Sequence, residues 1–303
     1  MKILRWIYPL SLLATSIFLW TCAHRSAIQS NPNPSFYSKW EAKDYRYPGP
    51  IKVTIENKTI QAQNEHLIYT IFQPKTLKTT ALVIIGHGFF RNRETIRGLA
   101  THIASWGIEV VTLDFHHSRL WNGHHDQNAL EMIAVARQFE QRPILYSGFS
   151  AGGLSALLAA RKDPSAIGFF GLDMVDMNRE GFNAAQEKSI SMAGLTATPS
   201  AWNAHQNGLA VYAASPQSIV FDIKNATHFD FEIPTPISDL NPESKKQILK
   251  KEVQSTILGL TTAYLLWRSG AEPGAKNWWM HPTSSGKFKI TTLNSPNSPD
   301  KTD

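Results

Sequence analysis

Ser150 stands between two glycines, in the run Gly148-Phe149-Ser150-Ala151-Gly152-Gly153. A serine hydroxyl attacks a carbonyl carbon only when it is exposed, held in place and beside a base. The flanking sequence supplies the first two conditions. Residues 143–147 are short and apolar and read as a buried strand; residues 154–162 are rich in Ala and Leu and read as a helix. A serine on a tight strand-to-helix turn has its Oγ pushed out at the strand end. The crowded turn needs small neighbours, which Gly148 and Gly152 provide. The chemistry in view is acyl transfer through a serine nucleophile.

That nucleophile needs an imidazole, which takes and returns a proton near neutral pH. Position selects among the eleven histidines. His228 follows the last strand expected, residues 218–223, and so falls on the sheet edge where Ser150 emerges. The imidazole in turn needs a carboxylate between Ser150 and His228 in chain order. Residues 190–202 contain no Asp or Glu, so the acid cannot follow the strand read there. The strand before it ends at Asp173, the first choice, with Asp176 second; Asp222 lies within a strand and Asp230 follows His228. Two backbone donors should hold the oxyanion. One is the N–H of Ala151, at the start of the helix, and the other is that of Phe89, in the glycine-bearing loop Gly86-His87-Gly88-Phe89. His87 reads as a packed support of that loop.

His116-His117 and His124-His125-Asp126 raise the question of a metal, but no cysteine joins them and HExxH spacing is absent. No metal is therefore expected. Asp126 reads as the cap of the following helix, and Trp121 with the neighbouring histidines as a border of the substrate cleft. No phosphate loop or dinucleotide fingerprint is present, so no cofactor is expected.

The elements that must position these residues alternate. Residues 51–55 and 67–72 suggest a hairpin with a turn at Asn57-Lys58. A continuous apolar run at 81–85 reads as a central strand covered on both faces, and 108–113, 166–172, 190–195 and 218–223 read as further strands. Helices are expected through Ile96–Ile103, Leu130–Arg137, 154–162 and 203–214. A long helix is expected after Asn241 as cap and Pro242 in the first turn, with Leu249, Val253, Ile257, Leu260 and Tyr264 as its apolar stripe. This order calls for an α/β fold with a mostly parallel central sheet and helices on both faces.

At 303 residues the chain suits one α/β domain with tails. Its formal charge of +6 is scattered, apart from Lys245, Lys246, Lys250 and Lys251, which read as a solvated helix face. Nucleic acid is not an expected partner. Lys2 and Arg5 precede an uncharged apolar run over 6–20, the pattern of a secretory leader. The domain is thus expected to be exported, periplasmic or extracellular. Cys22, the only cysteine, sits where a lipoprotein signal carries its lipidated residue, and a retained or lipidated leader would associate the domain with a membrane. The division expected is 1–26 leader, 27–50 irregular lead-in, 51–290 catalytic domain and 291–303 disordered tail.

Taken in order, these motifs resemble the α/β-hydrolase superfamily over roughly residues 50 to 280. Within it the chain is similar to the branch holding chlorophyllases, cutinase-like polyester hydrolases and platelet-activating-factor acetylhydrolases. The matching stretches are His87-Gly88-Phe89, Ile103-Ala104-Ser105-Trp106-Gly107 and Gly148 to Gly153. Gly171-Leu172-Asp173-Met174-Val175-Asp176 and Ala226-Thr227-His228-Phe229-Asp230-Phe231 are the other two. The elbow departs from chlorophyllases in having Phe149 and Ala151 beside the serine. Polyester hydrolases place their acid after the next strand, where this chain has none. The resemblance implies an α/β-hydrolase fold and hydrolysis of small or lipid-like carboxylic esters through an acyl-enzyme on Ser150, His228 and Asp173. An acyltransferase on the same residues and a non-catalytic binding protein of the same fold are the rival readings.

Overall fold

A computed structural model of the chain describes residues 43–62, 65–118, 123–187, 190–242, 244–281 and 288–289. The leader with Cys22, Trp121 and the tail over 291–303 lie outside the described residues.

A hairpin of β1 (Val53–Ala62) and β2 (Glu65–Pro74) opens the sheet. Then come β3 (Leu82–Gly86), α1 (Arg97–Ala104), β4 (Glu109–Leu113), α2 (His125–Ala136), β5 (Ile144–Phe149), α3 (Ala151–Lys162) and β6 (Ala166–Leu172). The chain continues through α4 (Glu180–Glu187), β7 (Met192–Thr196), α5 (Leu209–Ala213), β8 (Ile219–Ile223), α6 (Lys245–Arg268), α7 (Ala275–Met280) and β9 (Phe288–Lys289). The sheet order is β1-β2-β4-β3-β5-β6-β7-β8-β9. Strands β3 to β8 run parallel, while β1, β2 and β9 pair antiparallel at the two edges. Among the described residues no helix is long and apolar enough to cross a membrane.

Alternation along the buried strands divides the core. Val83 and Ile85 of β3 join α1, α6 and α7 on one face; Leu82 and Ile84 join α2, α3, α4 and α5 on the other. The division follows from handedness. The chain steps from β3 to β4 in one direction and from β4 to β5 in the other. Right-handed crossovers then place α1 on the face opposite α2, α3, α4 and α5. The reversal lies between β3 and β5, so the loops after their C-terminal ends diverge and leave a crevice there.

Four expectations are corrected. Asn57 and Lys58 are mid-strand: Asn57 pairs with Thr70, whose hydroxyl donates to the Asn57 side chain at 2.7 Å, and β1 runs on to Ala62. The region expected as a helix over 203–214 is a 3-10 turn, Ala201–Gln206, followed by the short α5. Within that turn the backbone is left-handed at Ala204, His205 and Gln206, and the Asn203 side chain bonds to Ser200 and Asp173. Helix α6 starts at Lys245 with Ser244 as cap rather than Asn241. The Ser244 Oγ accepts from the Gln247 N–H and the Gln247 side chain accepts from the Ser244 N–H. Asn241 has no such partner three residues on, since that position is Ser244 itself. Leu249, expected in the apolar stripe, is half exposed, whereas Val253, Ile257, Leu260 and Tyr264 are buried.

The final part of the lead-in packs as domain. Tyr45 is buried and donates to Glu272, and its carbonyl accepts from His102 Nε2 at 2.9 Å. Trp106 donates to the Tyr47 carbonyl and the Gly49 N–H to Ser105.

Candidate active site

Ser150 joins β5 to α3 with φ 55° and ψ −124°, a conformation that costs on the order of 1–3 kcal/mol for a residue with a side chain. Surrounding hydrogen bonds hold it there. Its N–H donates to the Leu172 carbonyl at 3.0 Å, and its carbonyl accepts from Gly153 at 3.0 Å and Val175 at 3.3 Å. The neighbouring glycines are needed for close approach. A Cβ on Gly148 would sit 2.2 Å from the Gly152 carbonyl oxygen, and one on Gly152 would sit 2.2 Å from that of His87. Helix α3 can therefore meet β5 only with glycine at 148, and the loop after β3 only with glycine at 152.

Three far-apart residues converge at this turn. His228 Nε2 lies 3.0 Å from Ser150 Oγ, and His228 Nδ1 lies 2.6 Å from Asp173 Oδ2. All three side chains are buried. A carboxylate only accepts, so Nδ1 carries the proton and donates it to Asp173. Nε2 is left as the acceptor of the serine O–H. Each residue is placed at a strand end: Ser150 after β5, Asp173 directly after β6 and His228 in the 3-10 turn His228–Phe231 beyond β8. Asp230 caps that turn, accepting from the Thr227 N–H and hydroxyl at 2.8 Å each. Phe149 packs under the imidazole, with ring centroids 4.7 Å apart. Phe149 is only 1% exposed, so this ring is core and does not line the mouth.

Asp173 Oδ1 accepts from Thr196 Oγ1 and the Ala197 N–H, each at 2.9 Å. The fully buried Asn203 reaches both carboxylate oxygens, at 3.2 and 3.3 Å. Asn203 is a part of the site that sequence reasoning missed. Its link to Asp173 crosses thirty positions and leaves no local pattern. Asp176, the second choice for the acid, accepts instead from Gly181 and Phe182 at the start of α4 and does not reach the imidazole.

Compared with known proteins, the chain matches no protein-family model and no curated protein sequence. The geometry therefore carries the functional argument.

The loop after β3 runs directly past the serine. A Cβ on Gly88 would lie 3.2 Å from Ser150 Cβ. His87 fixes this loop from within. The Phe115 N–H donates to His87 Nε2 at 3.1 Å, so Nδ1 bears the proton and donates to the Gly88 carbonyl at 2.8 Å. Burial pushes this imidazole down to about 4, so it stays neutral. In a trans peptide the N–H points opposite to the carbonyl. Holding the Gly88 carbonyl thus also sets the direction of the Phe89 N–H. The Ala151 N–H is among the first-turn donors of α3, which have no partner inside the helix.

Among the described residues no group of three or more His, Cys, Asp or Glu is arranged to hold a metal ion. His116 is held by Glu131 at 2.8 Å and by the His66 carbonyl. His117 packs edge-on against His124. His125 is buried beside the Phe89 ring. Asp126 occupies the first turn of α2 but does not cap it; His124 is the cap position. Above the triad, Phe90 and Trp202 are 53% and 63% exposed, and Trp202 meets Phe229 edge-on at 5.0 Å. Arg91 lies over the Phe229 ring and pairs with Glu232 at 2.6 Å.

Proposed function

We propose that this chain is a serine hydrolase of the α/β-hydrolase fold that cleaves carboxylic esters through an acyl-enzyme. The observation that carries the reading is the unbroken hydrogen-bond chain from Ser150 Oγ through His228 to Asp173, built on a strained turn. Strain of this kind persists only where the surroundings enforce it, and here it aims a hydroxyl at a base. Asp173, with all its partners buried, favours the imidazolium that forms when His228 takes a proton.

In the proposed reaction Ser150 Oγ adds to the ester carbonyl as its proton moves to His228 Nε2. The carbonyl electron pair moves onto oxygen, and this oxyanion is held by the Phe89 and Ala151 N–H groups. Such a donor contributes about 3 kcal/mol each. The intermediate collapses, His228 protonates the leaving alcohol, and the acyl group stays on Ser150. Water, deprotonated by His228, then repeats the addition and releases the acid. The exposed Phe90 and Trp202, the latter packed on the half-buried Phe229, favour an ester with an apolar acyl or alcohol group. The basic-then-apolar start supports an exported domain, associated with a membrane if the leader or a lipidated Cys22 is retained.

The test uses short and medium p-nitrophenyl esters and a fluorophosphonate probe. The protein should turn over the esters and label, and Ser150→Ala should abolish labelling and cut kcat by at least about 10⁴-fold. Turnover that persists in Ser150→Ala would exclude this mechanism. Adding an alcohol acceptor measures how much of the acyl group is transferred instead of hydrolysed.

A further inference from the structure

His125 is the first residue of α2 and is only 1% exposed. Neither of its ring nitrogens has a hydrogen-bond partner among the described residues. A buried imidazole without a partner is a poor way to fill a core, because an apolar ring of similar size would fill it without the desolvation cost. Its surroundings are specific. On one side lies the Phe89 ring, 5.4 Å away between centroids and inclined by 50°. On another lies the Ala151 carbonyl, which the imidazole faces without reaching hydrogen-bond geometry. The backbone at Gly123 closes the remaining side. A Cβ there would come within 2.5 Å of Phe89 Cε1 and 3.1 Å of His125 Cε1. His125 thus touches both residues whose amides serve as oxyanion donors in the reading above.

Those two donors come from separate loops, after β3 and after β5. Their spacing decides whether both reach one oxygen atom, and a misplacement of about 1 Å costs on the order of a hundredfold in rate. We propose that His125 is a positioning residue for the oxyanion hole, packed as a wedge between the Phe89 ring on one face and the start of α3 at the Ala151 carbonyl on the other. This inference rests on the esterase reading and deepens it. The imidazole itself touches no reacting atom. It ties the two donors to a third element, α2, so that they move together.

The test compares His125→Ala, His125→Phe and His125→Gln with the unmodified protein on p-nitrophenyl butyrate. Each is also titrated with an octyl trifluoromethyl ketone and with the matching methyl ketone. The fluorinated ketone forms a bond from Ser150 Oγ to its carbonyl carbon. The serine proton passes to His228 and the carbonyl pair becomes an alkoxide in the hole. The methyl ketone reports ground-state binding. His125→Ala should lower kcat about 10- to 100-fold with KM within about twofold. Affinity for the fluorinated ketone should fall in parallel while that for the methyl ketone holds. His125→Gln, which keeps planar polar bulk between the Phe89 ring and the Ala151 carbonyl, should recover most of the loss.

A folded His125→Ala or His125→Phe with unchanged kcat and fluorinated-ketone affinity would overturn the proposal. So would parallel weakening of both ketones, which marks general loosening. Where the Ala variant does not fold, the Phe and Gln variants decide by the same readouts. Failure of all three to fold would assign His125 to the fold and not to the hole. Absence of turnover and labelling in the unmodified protein would instead sink the esterase reading itself, and this inference with it.

Discussion

Asp173 and Asp176 lie in one loop, three positions apart, yet their carboxylates do different work. Asp173 meets His228, Thr196, Ala197 and Asn203, whereas Asp176 caps the first turn of α4. Asparagine in place of Asp173 can present an amide N–H to the imidazole and so favours the wrong tautomer. Asp173→Asn should therefore lower kcat by about 10³- to 10⁴-fold with little change in KM. Asp176→Asn should leave kcat within about threefold and lower stability by about 1–2 kcal/mol, through weaker bonds to the Gly181 and Phe182 amides. Steady-state kinetics and urea midpoints on both variants check the pair. Ser150 and His228 were legible as candidates because a nucleophile turn and the end of the last strand are local patterns. The choice between two nearby carboxylates was not, since it depends on which of them faces a loop fifty-five residues away. Asn203 carries no sequence signal, and His125 stands out only as one of a group of histidines, because the contacts of both are with residues remote in the chain.

Elements follow the same division. Strands β3 to β8 and helices α1, α2 and α3 are legible in the sequence, whereas α4 gave no expectation and α5 is far shorter than expected. Their ends were less legible, because caps depend on side-chain exchange with a particular neighbour. The start of α6 shows this. Asn241-Pro242 has the composition of a helix start, but Ser244 and Gln247 make the reciprocal pair. Ser244→Ala should cost about 1 kcal/mol, while Asn241→Ala should cost a few tenths at most, as read by thermal unfolding. The Ala201–Gln206 turn makes a related point. Its sequence suits a helix, yet it adopts three consecutive left-handed residues so that Asn203 can reach Asp173. Tertiary hydrogen bonding there overrides local propensity.

On the scale of the molecule, burial sets how the fold responds to acid. His87, His102 and His125 are each pushed down to about 4 by burial, from an ordinary value of 6.5. The unfolded chain takes up protons that these folded rings refuse. Stability is therefore full above about pH 7, begins to fall near pH 6.5 and goes on falling until about pH 4. Each ring contributes on the order of 3 kcal/mol when fully developed. His116 works in the opposite sense: burial opposes its charge, but the bond and charge of Glu131, the His66 carbonyl and Glu65 together outweigh this and raise it above its ordinary value. Urea midpoints across pH 4–8 should decline toward acid. His102→Gln, which can still donate to the Tyr45 carbonyl, should flatten the slope by about one proton. An unchanged slope would remove His102 from the account.

The sequence by itself determined the alternation of elements, the α/β class and the serine turn, because periodicity and glycine spacing act over a few residues. Only the tertiary structure decided which carboxylate meets His228, how Asn203 braces that carboxylate, and which buried histidine packs against the Phe89 ring. Those relations exist only once β3, β5, β6 and β8 end on one edge, and no stretch of chain contains two of those ends.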